Sequence, residues 1–222
     1  MNFLAHCALA ELATEASGHG LIAGGILGDL WKGPLPAHWE TETLLGVRLH
    51  RRIDAVSNRH PAIRRSCERF PPNLRRLAPV LVDIHADIAL VAHWRDWFDI
   101  DVDAFAARCY QSLEKALPGS PGLSESALRF LEYLRREDLL SAYGTWDGVR
   151  LCLRGVGRRL GDPTFDTQAL PACQALSAHL LDDFRAYFPD LLYEARRFVS
   201  DATSAPSGLH DEIGEQQIAH HR

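Results

Sequence analysis

The sequence lacks the features that mark secreted or membrane proteins. None of its five cysteines forms a CxxC pair and their number is odd, which fits a reducing compartment better than a disulfide scaffold. No run approaches the ~20 consecutive apolar residues of a membrane span. Residues 1–6 carry neither the basic nor the long apolar region of a signal peptide. We therefore expect a cytoplasmic protein that does not enter the membrane.

Convincing period-two alternation is also absent, so the sequence gives no support for β-strands. Apolar residues instead recur at the helical period along most of the chain, and 46% of the 222 residues are hydrophobic. We predict an all-α, single-domain helical bundle over residues 1–199. Its helical segments include Glu137–Leu160 and Leu170–Val199, and Pro189 marks a kink or a junction in the second of these. Residues 200–222 turn polar, and we expect them to form a disordered C-terminal tail.

Several common catalytic motifs are missing. There is no GxSxG, which removes support for serine-based nucleophilic catalysis. The glycine-rich segment from Gly18 to Gly28 lacks both a GK[ST] ending and a preceding strand, so it predicts neither a P-loop nor a dinucleotide site. A net charge of −5 argues against general binding of polyanions such as nucleic acid.

The segment from Pro79 to Trp97 is the most informative part of the chain. Pro79 suits the first turn of a helix, and at about 100° per residue Asp83 and Asp87 fall on one face with Leu90. Two carboxylates one turn apart on an apolar helix are costly to bury unless something positive lies between them. A metal ion and an arginine are both candidates.

Other potential ligands lie on neighbouring predicted helices. His50 and Asp54 are spaced i, i+4 on a helix predicted over Glu40–Ser57, and Asp29 ends the glycine-rich segment. Carboxylates suit hard divalent ions, and imidazole suits Mn, Fe or Zn. The alternative is that His50 and Asp54 form a surface pair while arginines neutralise the other acids. His6, His19 and His60 could line the same cleft, but an ordinary structural role is favoured for each.

A basic block extends from Arg48 to Arg76. It holds nine arginines against two acids, a local charge of about +7 in a chain of net charge −5. The block predicts either a solvated face that pairs with acids elsewhere in the chain or a docking surface for an anionic partner. Aromatic residues are scarce in it, which argues against single-stranded nucleic acid.

Taken together, several blocks resemble the acyl carrier protein phosphodiesterases, which are all-helical relatives of the HD phosphohydrolases. The order and spacing of the blocks match over about residues 1–97, with weaker similarity in 143–159 and 184–198. The blocks are Met1-Asn2-Phe3-Leu4-Ala5-His6, Gly28-Asp29-Leu30-Trp31-Lys32-Gly33, Leu49-His50-Arg51-Arg52-Ile53-Asp54, and Arg75-Arg76-Leu77-Ala78-Pro79 running into Asp83-x-x-x-Asp87.

The resemblance implies an HD-like fold and an activity in fatty acid metabolism. Members of the family use a divalent cation, usually Mn²⁺, to hydrolyse the phosphodiester between the carrier protein serine and its 4′-phosphopantetheine arm. Carrier proteins are strongly acidic, which would give the basic block a partner.

The resemblance also implies roles for particular residues. Asp54 would orient His50 or act on water, and Arg51 and Arg52 would contact the phosphate or the carrier protein. The implied metal ligands are Asp29, His50, Asp83 and Asp87, and the implied partner-binding residues are Arg48, Arg52, Arg59, Arg64 and Arg65.

One departure from the family pattern bears on catalysis. Where the family has the histidine of the HD pair after Asp87, this chain has Ile88, which can neither ligate a metal nor transfer a proton. The Thr-Asp that follows the His-Arg-x-Ile-Asp block in the family is Ser57-Asn58 here. There are therefore two alternatives to an active enzyme. The first is a catalytically impaired paralogue that still binds a carrier protein or pantetheine ligand. The second is a helical interaction protein whose arginines pair with its own acids.

Overall fold

The computed structural model describes residues 1–15 and 18–204, and this part of the chain contains helices but no strand. The predicted all-α architecture is therefore confirmed. The α-helices are α1 (Phe3–Leu12), α2 (His19–Leu30), α3 (Thr41–Ser57), α4 (Pro61–Glu68), α5 (Ala78–Ala92), α6 (Val102–Ala116), α7 (Glu125–Arg136), α8 (Trp146–Leu160) and α9 (Phe165–Ser204).

Helix boundaries follow local capping chemistry. Ser124 and Thr145 precede α7 and α8, and their hydroxyl oxygens accept backbone N–H groups of the first turn. Gly161 ends α8 in the left-handed conformation at φ 71°, which costs glycine little. Pro61 opens α4 at a position whose N–H would lack a helical partner.

Three helical stretches differ from the sequence prediction. The stretch predicted over Pro79–Trp97 divides into α5 and a short 3₁₀ turn, Trp94–Asp96. The stretch predicted from Glu137 to Leu160 is interrupted, and its regular helix starts only at Trp146. In contrast, α9 continues through Pro189 and extends to Ser204, beyond the predicted start of the tail at residue 200. The remainder of the predicted tail lies outside the described residues.

Helices α2 and α3 pack unusually close together because glycine faces glycine. A Cβ atom on Gly24 would lie only 2.3 Å from the carbonyl carbon of Gly46. The long helix α9 packs across α3, α4, α5 and α8, and aromatic residues such as Phe184 and Phe188 fill the core behind it. This arrangement holds α1, α2, α3 and α5 around one group of polar side chains.

None of the helices in the described part of the chain combines the length and apolar character needed to cross a membrane.

Candidate active site

Two buried histidines from different helices form the centre of the polar group. The rings of His6 on α1 and His50 on α3 stack with centroids 3.8 Å apart and an interplanar angle of 22°. Each residue is only 2% exposed. Two imidazoles held this close cannot both be protonated without strong repulsion, unless anions lie beside them.

Glycines in α2 set the orientation of His50. The Nδ1 atom of His50 lies 3.0 Å from the Gly25 carbonyl oxygen, which accepts a hydrogen bond from Nδ1–H. A Cβ atom at Gly28 would lie 2.2 Å from the imidazole, so the ring occupies space that only glycine leaves open. With Nδ1 engaged, Nε2 is the nitrogen left to bind a proton or a metal ion.

Asp54 joins the two histidines. Its Oδ1 atom lies 3.0 Å from His6 Nε2, and its Oδ2 atom lies 3.3 Å from His50 Nε2. Asp29, at the end of α2, approaches His50 Nε2 at 3.7 Å. Ligand atoms of His6, His50 and Asp54 all lie within 4.8 Å of one another, so these three residues could hold a metal ion.

The protonation of the cluster is unevenly divided. Burial and the neighbouring His50 lower the pKa of His6 to about 3. Burial alone would lower the pKa of His50 as well, but its hydrogen bonds to Asp29 and Asp54 raise it to about 9. The same contacts hold the pKa of Asp54 below its ordinary value despite burial. A protonated His50 therefore offsets the negative charges of Asp29 and Asp54, and a metal cation would compete with that proton for the same site.

Asp83 lies at the edge of the same group. Its Oδ1 atom is 3.0 Å from the α-amino nitrogen of Met1, which is also 3.5 Å from Asp54 Oδ1. Burial raises the pKa of Asp83, and the ammonium of Met1 offsets part of that effect. The described residues show an amino group, and no arginine, beside this carboxylate.

Asp87 faces a different environment although it lies one turn from Asp83. Its two oxygens accept the backbone N–H groups of Leu4 at 3.1 Å and Ala5 at 2.8 Å. The residue is fully buried, and it caps the start of α1. Burial raises the pKa of Asp87 to about 7, although the N–H groups of Ala5 and Leu4 offset part of that effect. The structure therefore gives Asp87 a positioning role, because it fixes the helix that carries His6.

The remaining histidines considered from the sequence lie away from the cluster. His19 contacts Ser112 and Lys115, and His60 caps α4 and contacts Asp190. His50 and Asp54 are also not a surface pair, because His50 is buried.

A cavity of about 680 Å³ opens beside the cluster, with Asp29, Asp54 and Asp83 in its wall. The side chains of these three acids are 40%, 37% and 44% exposed, so they are within reach of a ligand near the surface. The opposite wall comes from α7 and α8, and apolar side chains such as Phe3, Phe130 and Val156 line much of the space.

Several arginines of the basic block bind groups of the chain itself. The Nη2 atom of Arg51 donates to the carbonyl oxygens of Trp31 at 3.0 Å and Gly33 at 2.9 Å, which fixes the segment after α2. Arg52 pairs with Glu194, and Arg65 pairs with Asp183. By contrast, Arg48, Arg59 and Arg64 are exposed and their side chains have no partner among the described residues.

Comparison with known proteins identifies the family. The model of a family described as acyl carrier protein phosphodiesterase matches residues 1–191. Proteins named acyl carrier protein phosphodiesterase from Salmonella dublin, Salmonella newport and Salmonella heidelberg are each 30% identical over 207 residues, covering 89% of this chain and 98% of the relative. The chain belongs to the acyl carrier protein phosphodiesterase family. No solved structure gives a significant match.

The departure from the family pattern at Ile88 lies on a different side of α5 from Asp83. At 100° per residue, position 88 lies about 140° around the helix from Asp83. Ile88 is half-buried and packs against the hydrophobic core. The two imidazoles of the cluster come from α1 and α3, so the impaired paralogue, which rested on this position, gains no support.

From the sequence, an ordinary structural role was favoured for His6, whereas the structure places it in the cluster. The cavity wall formed by α7 and α8 was not predicted. His6 ends the block Met1–His6 that carried part of the family resemblance, and that position was the available signal. The cavity gave no local signal, because its two walls are about 100 residues apart in sequence.

Proposed function

We propose that this protein hydrolyses the phosphodiester that joins 4′-phosphopantetheine to a serine of holo acyl carrier protein, with the help of a divalent metal ion, Mn²⁺ in particular. The observation that carries the proposal is the convergence of two histidine Nε2 atoms on Asp54 beside an open cavity. Membership of the acyl carrier protein phosphodiesterase family supports the choice of substrate.

The donor set fits such a metal. His6, His50 and Asp54 would hold it, with Asp29 and Asp83 close enough to complete the anionic surroundings. When bound, a divalent ion supplies positive charge for the phosphate oxygens and makes an attacking water more acidic. The mixture of imidazole and carboxylate is compatible with Mn, Fe or Zn.

The remaining contributions come from the chain itself. The Gly25 carbonyl holds the Nδ1–H tautomer of His50, and Asp87 holds the start of α1 and with it His6. Asp29, which is partly exposed on the cavity side, accepts the proton that the attacking water loses. The water oxygen bonds to phosphorus, the bond from phosphorus to the serine oxygen breaks, and that oxygen takes up a proton. The products are apo carrier protein and phosphopantetheine.

The proposal reassigns two residues that the family resemblance placed in the site. The Nη2 atom of Arg51 donates hydrogen bonds to two backbone carbonyl oxygens. Both carboxylate oxygens of Asp87 accept hydrogen bonds from backbone N–H groups. We therefore propose that both residues position the site and that neither contacts the phosphate or the metal.

A mass assay tests the function. Purified protein is incubated with holo acyl carrier protein, with and without Mn²⁺ after chelator treatment, and conversion to the apo mass is followed. We expect conversion only with metal, a loss of conversion in His50→Ala, and normal conversion in the control His19→Ala, whose partners lie outside the cluster. Conversion by His50→Ala at the wild-type rate would contradict the assignment of the site.

A further inference from the structure

The mouth of the cavity carries a group of cationic side chains outside the Arg48–Arg76 block. We propose that these residues, here called the cationic rim, form the docking surface for the acidic carrier protein, and that the pantetheine arm lies in the cavity below them. This inference rests on the proposed function. The cationic rim consists of Lys32, Arg129, Arg136, Arg158 and Arg159.

The location of the scissile bond makes this surface suitable. The phosphodiester joins the arm directly to the carrier serine, so the folded body of the carrier must rest close to the catalytic cluster. The arm then extends away from that point. The cavity begins at Asp29, Asp54 and Asp83 and continues between α1, α5, α7 and α8, so it provides room for an arm beyond the cluster.

The charges are arranged with opposite signs at two positions in the cavity. The acids that flank the histidines come from α2, α3 and α5, whereas the exposed side chains of the cationic rim come from α7, α8 and the segment after α2. An acidic partner would be attracted to the rim and kept from the carboxylates until a metal neutralises them. Because the rim is positively charged, an acidic protein is the partner that fits this surface.

Several rim side chains are available to a partner. Arg159 and Lys32 are exposed and have no hydrogen bond or ion pair with any described residue. Arg158 lies over the ring of Tyr133, with its guanidinium carbon 4.9 Å from the ring centroid, so it is held in place yet exposed. Arg136 is exposed and pairs with its sequence neighbour Glu137 at 2.9 Å, and its guanidinium carbon lies 5.7 Å from the centroid of the Tyr133 ring.

The basic block is less suited to the same task. None of its nine arginines lines the cavity that contains the acids of the cluster. Five of them bind groups of the chain itself, namely Arg51, Arg52, Arg65, Arg69 and Arg75. The structure thus assigns much of this block to holding helices together.

Binding of apo carrier protein tests the docking surface without catalysis. We compare wild-type protein, the double variant Arg136→Glu/Arg159→Glu, and the matched double variant Arg59→Glu/Arg64→Glu from the basic block. At low salt we expect about a tenfold or greater loss of affinity in the rim variant and a change below about threefold in the block variant, since charge reversal acts most strongly at the interface. Equal effects, a larger loss in the block variant, or no binding by wild-type protein would overturn the proposal.

A second pair of variants tests the cavity. Gly155 lines it from α8. The nearest atoms to a Cβ atom there would be those of Tyr133 at 3.8 Å and Arg158 at 3.9 Å, which are ordinary contact distances, so a side chain fits at this position in the cavity wall. Gly155→Phe should lower kcat/KM for holo carrier protein about tenfold or more, while its affinity for apo carrier protein should change much less than that of the double variant Arg136→Glu/Arg159→Glu. Gly155→Ala should behave like wild-type protein. Unchanged turnover in Gly155→Phe would overturn the placement of the arm.

Failure of the function and failure of the docking surface give different results. If the proposed hydrolysis is wrong, wild-type protein does not release phosphopantetheine with any divalent metal, yet the affinity for apo carrier protein still depends on the cationic rim. If the docking surface is wrong, wild-type protein converts holo to apo carrier protein and the rim variant does so with an unchanged KM.

Discussion

Asp54 and Asp183 are two carboxylates neutralised in opposite ways. Asp183, on α9, is buried and binds Arg65, Arg69 and the hydroxyl of Ser66, all from α4 and the residue after it. Asp54 binds His6 and His50, and Asp54 itself lines a cavity. Both groups join helices that are distant in sequence. The side chain of Asp183 is removed from water, whereas that of Asp54 stays 37% exposed.

The two groups differ in whether the cationic side chain can release its proton. An arginine keeps its proton under all ordinary conditions and offers no lone pair, so the Asp183 group can only stabilise. A histidine can exchange its proton for a metal ion through the same nitrogen, so the Asp54 group can do chemistry. Helix packing thus places a structural site and a candidate catalytic site on the same α9-centred bundle.

Replacement of the carboxylate in the histidine group should have the largest effect. Asp54→Asn keeps the shape but removes the charge that holds both Nε2 atoms and would hold the metal. We expect kcat for holo carrier protein to fall by about 10²–10⁴-fold, because a bound metal supplies several kcal/mol of charge stabilisation. Asp183→Asn, assayed well below its unfolding temperature, should retain most of its kcat. A comparable loss of kcat in both variants would remove the distinction between the two sites.

Metal addition should separate the two sites thermodynamically. At a Mn²⁺ concentration of 100 times Kd, binding to the folded state stabilises by about 2.7 kcal/mol, which corresponds to a Tm increase of roughly 5–10 °C for a chain of this size. Asp183→Asn should show the same increase, measured by calorimetry, and Asp54→Asn should show almost none. An equal increase in Asp54→Asn would place the metal elsewhere.

Removal of the charge in the arginine group should affect stability. Asp183→Asn leaves Arg65 and Arg69 without their acid, and because both arginines are partly exposed we expect a loss of about 2 kcal/mol in the free energy of unfolding, at the low end for a broken buried pair. Chemical denaturation measures it. The control Asp190→Asn, on the exposed side of α9, should change stability by less than about 0.5 kcal/mol.

The smallest expected effect is a change in how the free energy of unfolding depends on pH in acid. Burial alone would raise the pKa of Asp183, but Arg69, Arg65 and Ser66 hold it below its ordinary value of 3.8. Because the folded pKa is lowered, this contribution is present above that value and is lost as the pH falls below it. The stability gap between wild-type protein and Asp183→Asn should therefore narrow in strong acid, and a gap that stays constant from pH 7 to pH 2 would contradict the pairing.

The helices were largely predictable because helical periodicity and capping are local properties. The prediction Glu40–Ser57 differs from α3 by one residue, and Pro61 and Gly161 mark helix ends through their own backbone chemistry. Errors occurred where a tertiary contact overrides the local signal. Pro189 was predicted to mark a kink or a junction. It does not divide α9 into two helices, because the helix packs along the bundle and its apolar face continues past the proline.

The candidate site was predictable only in part for a related reason. Periodicity placed His50 beside Asp54 correctly, since i and i+4 are neighbours on any helix. The same reasoning grouped Asp83 with Asp87, yet they differ in what packs against them: an amino group for Asp83, and the first N–H groups of α1 for Asp87. A helical wheel gives the direction of a side chain but not its partner.

The sequence by itself determined the helical class, the family and the i, i+4 pairing of His50 with Asp54, because each depends on residues that are close in the chain. The tertiary structure decided that His6 stacks on His50, that Asp87 caps α1, and which arginines remain free. Those outcomes depend on contacts between residues separated by 44 to 118 positions, as for His6 with His50 and Arg65 with Asp183. Only the path of the folded chain brings such groups together.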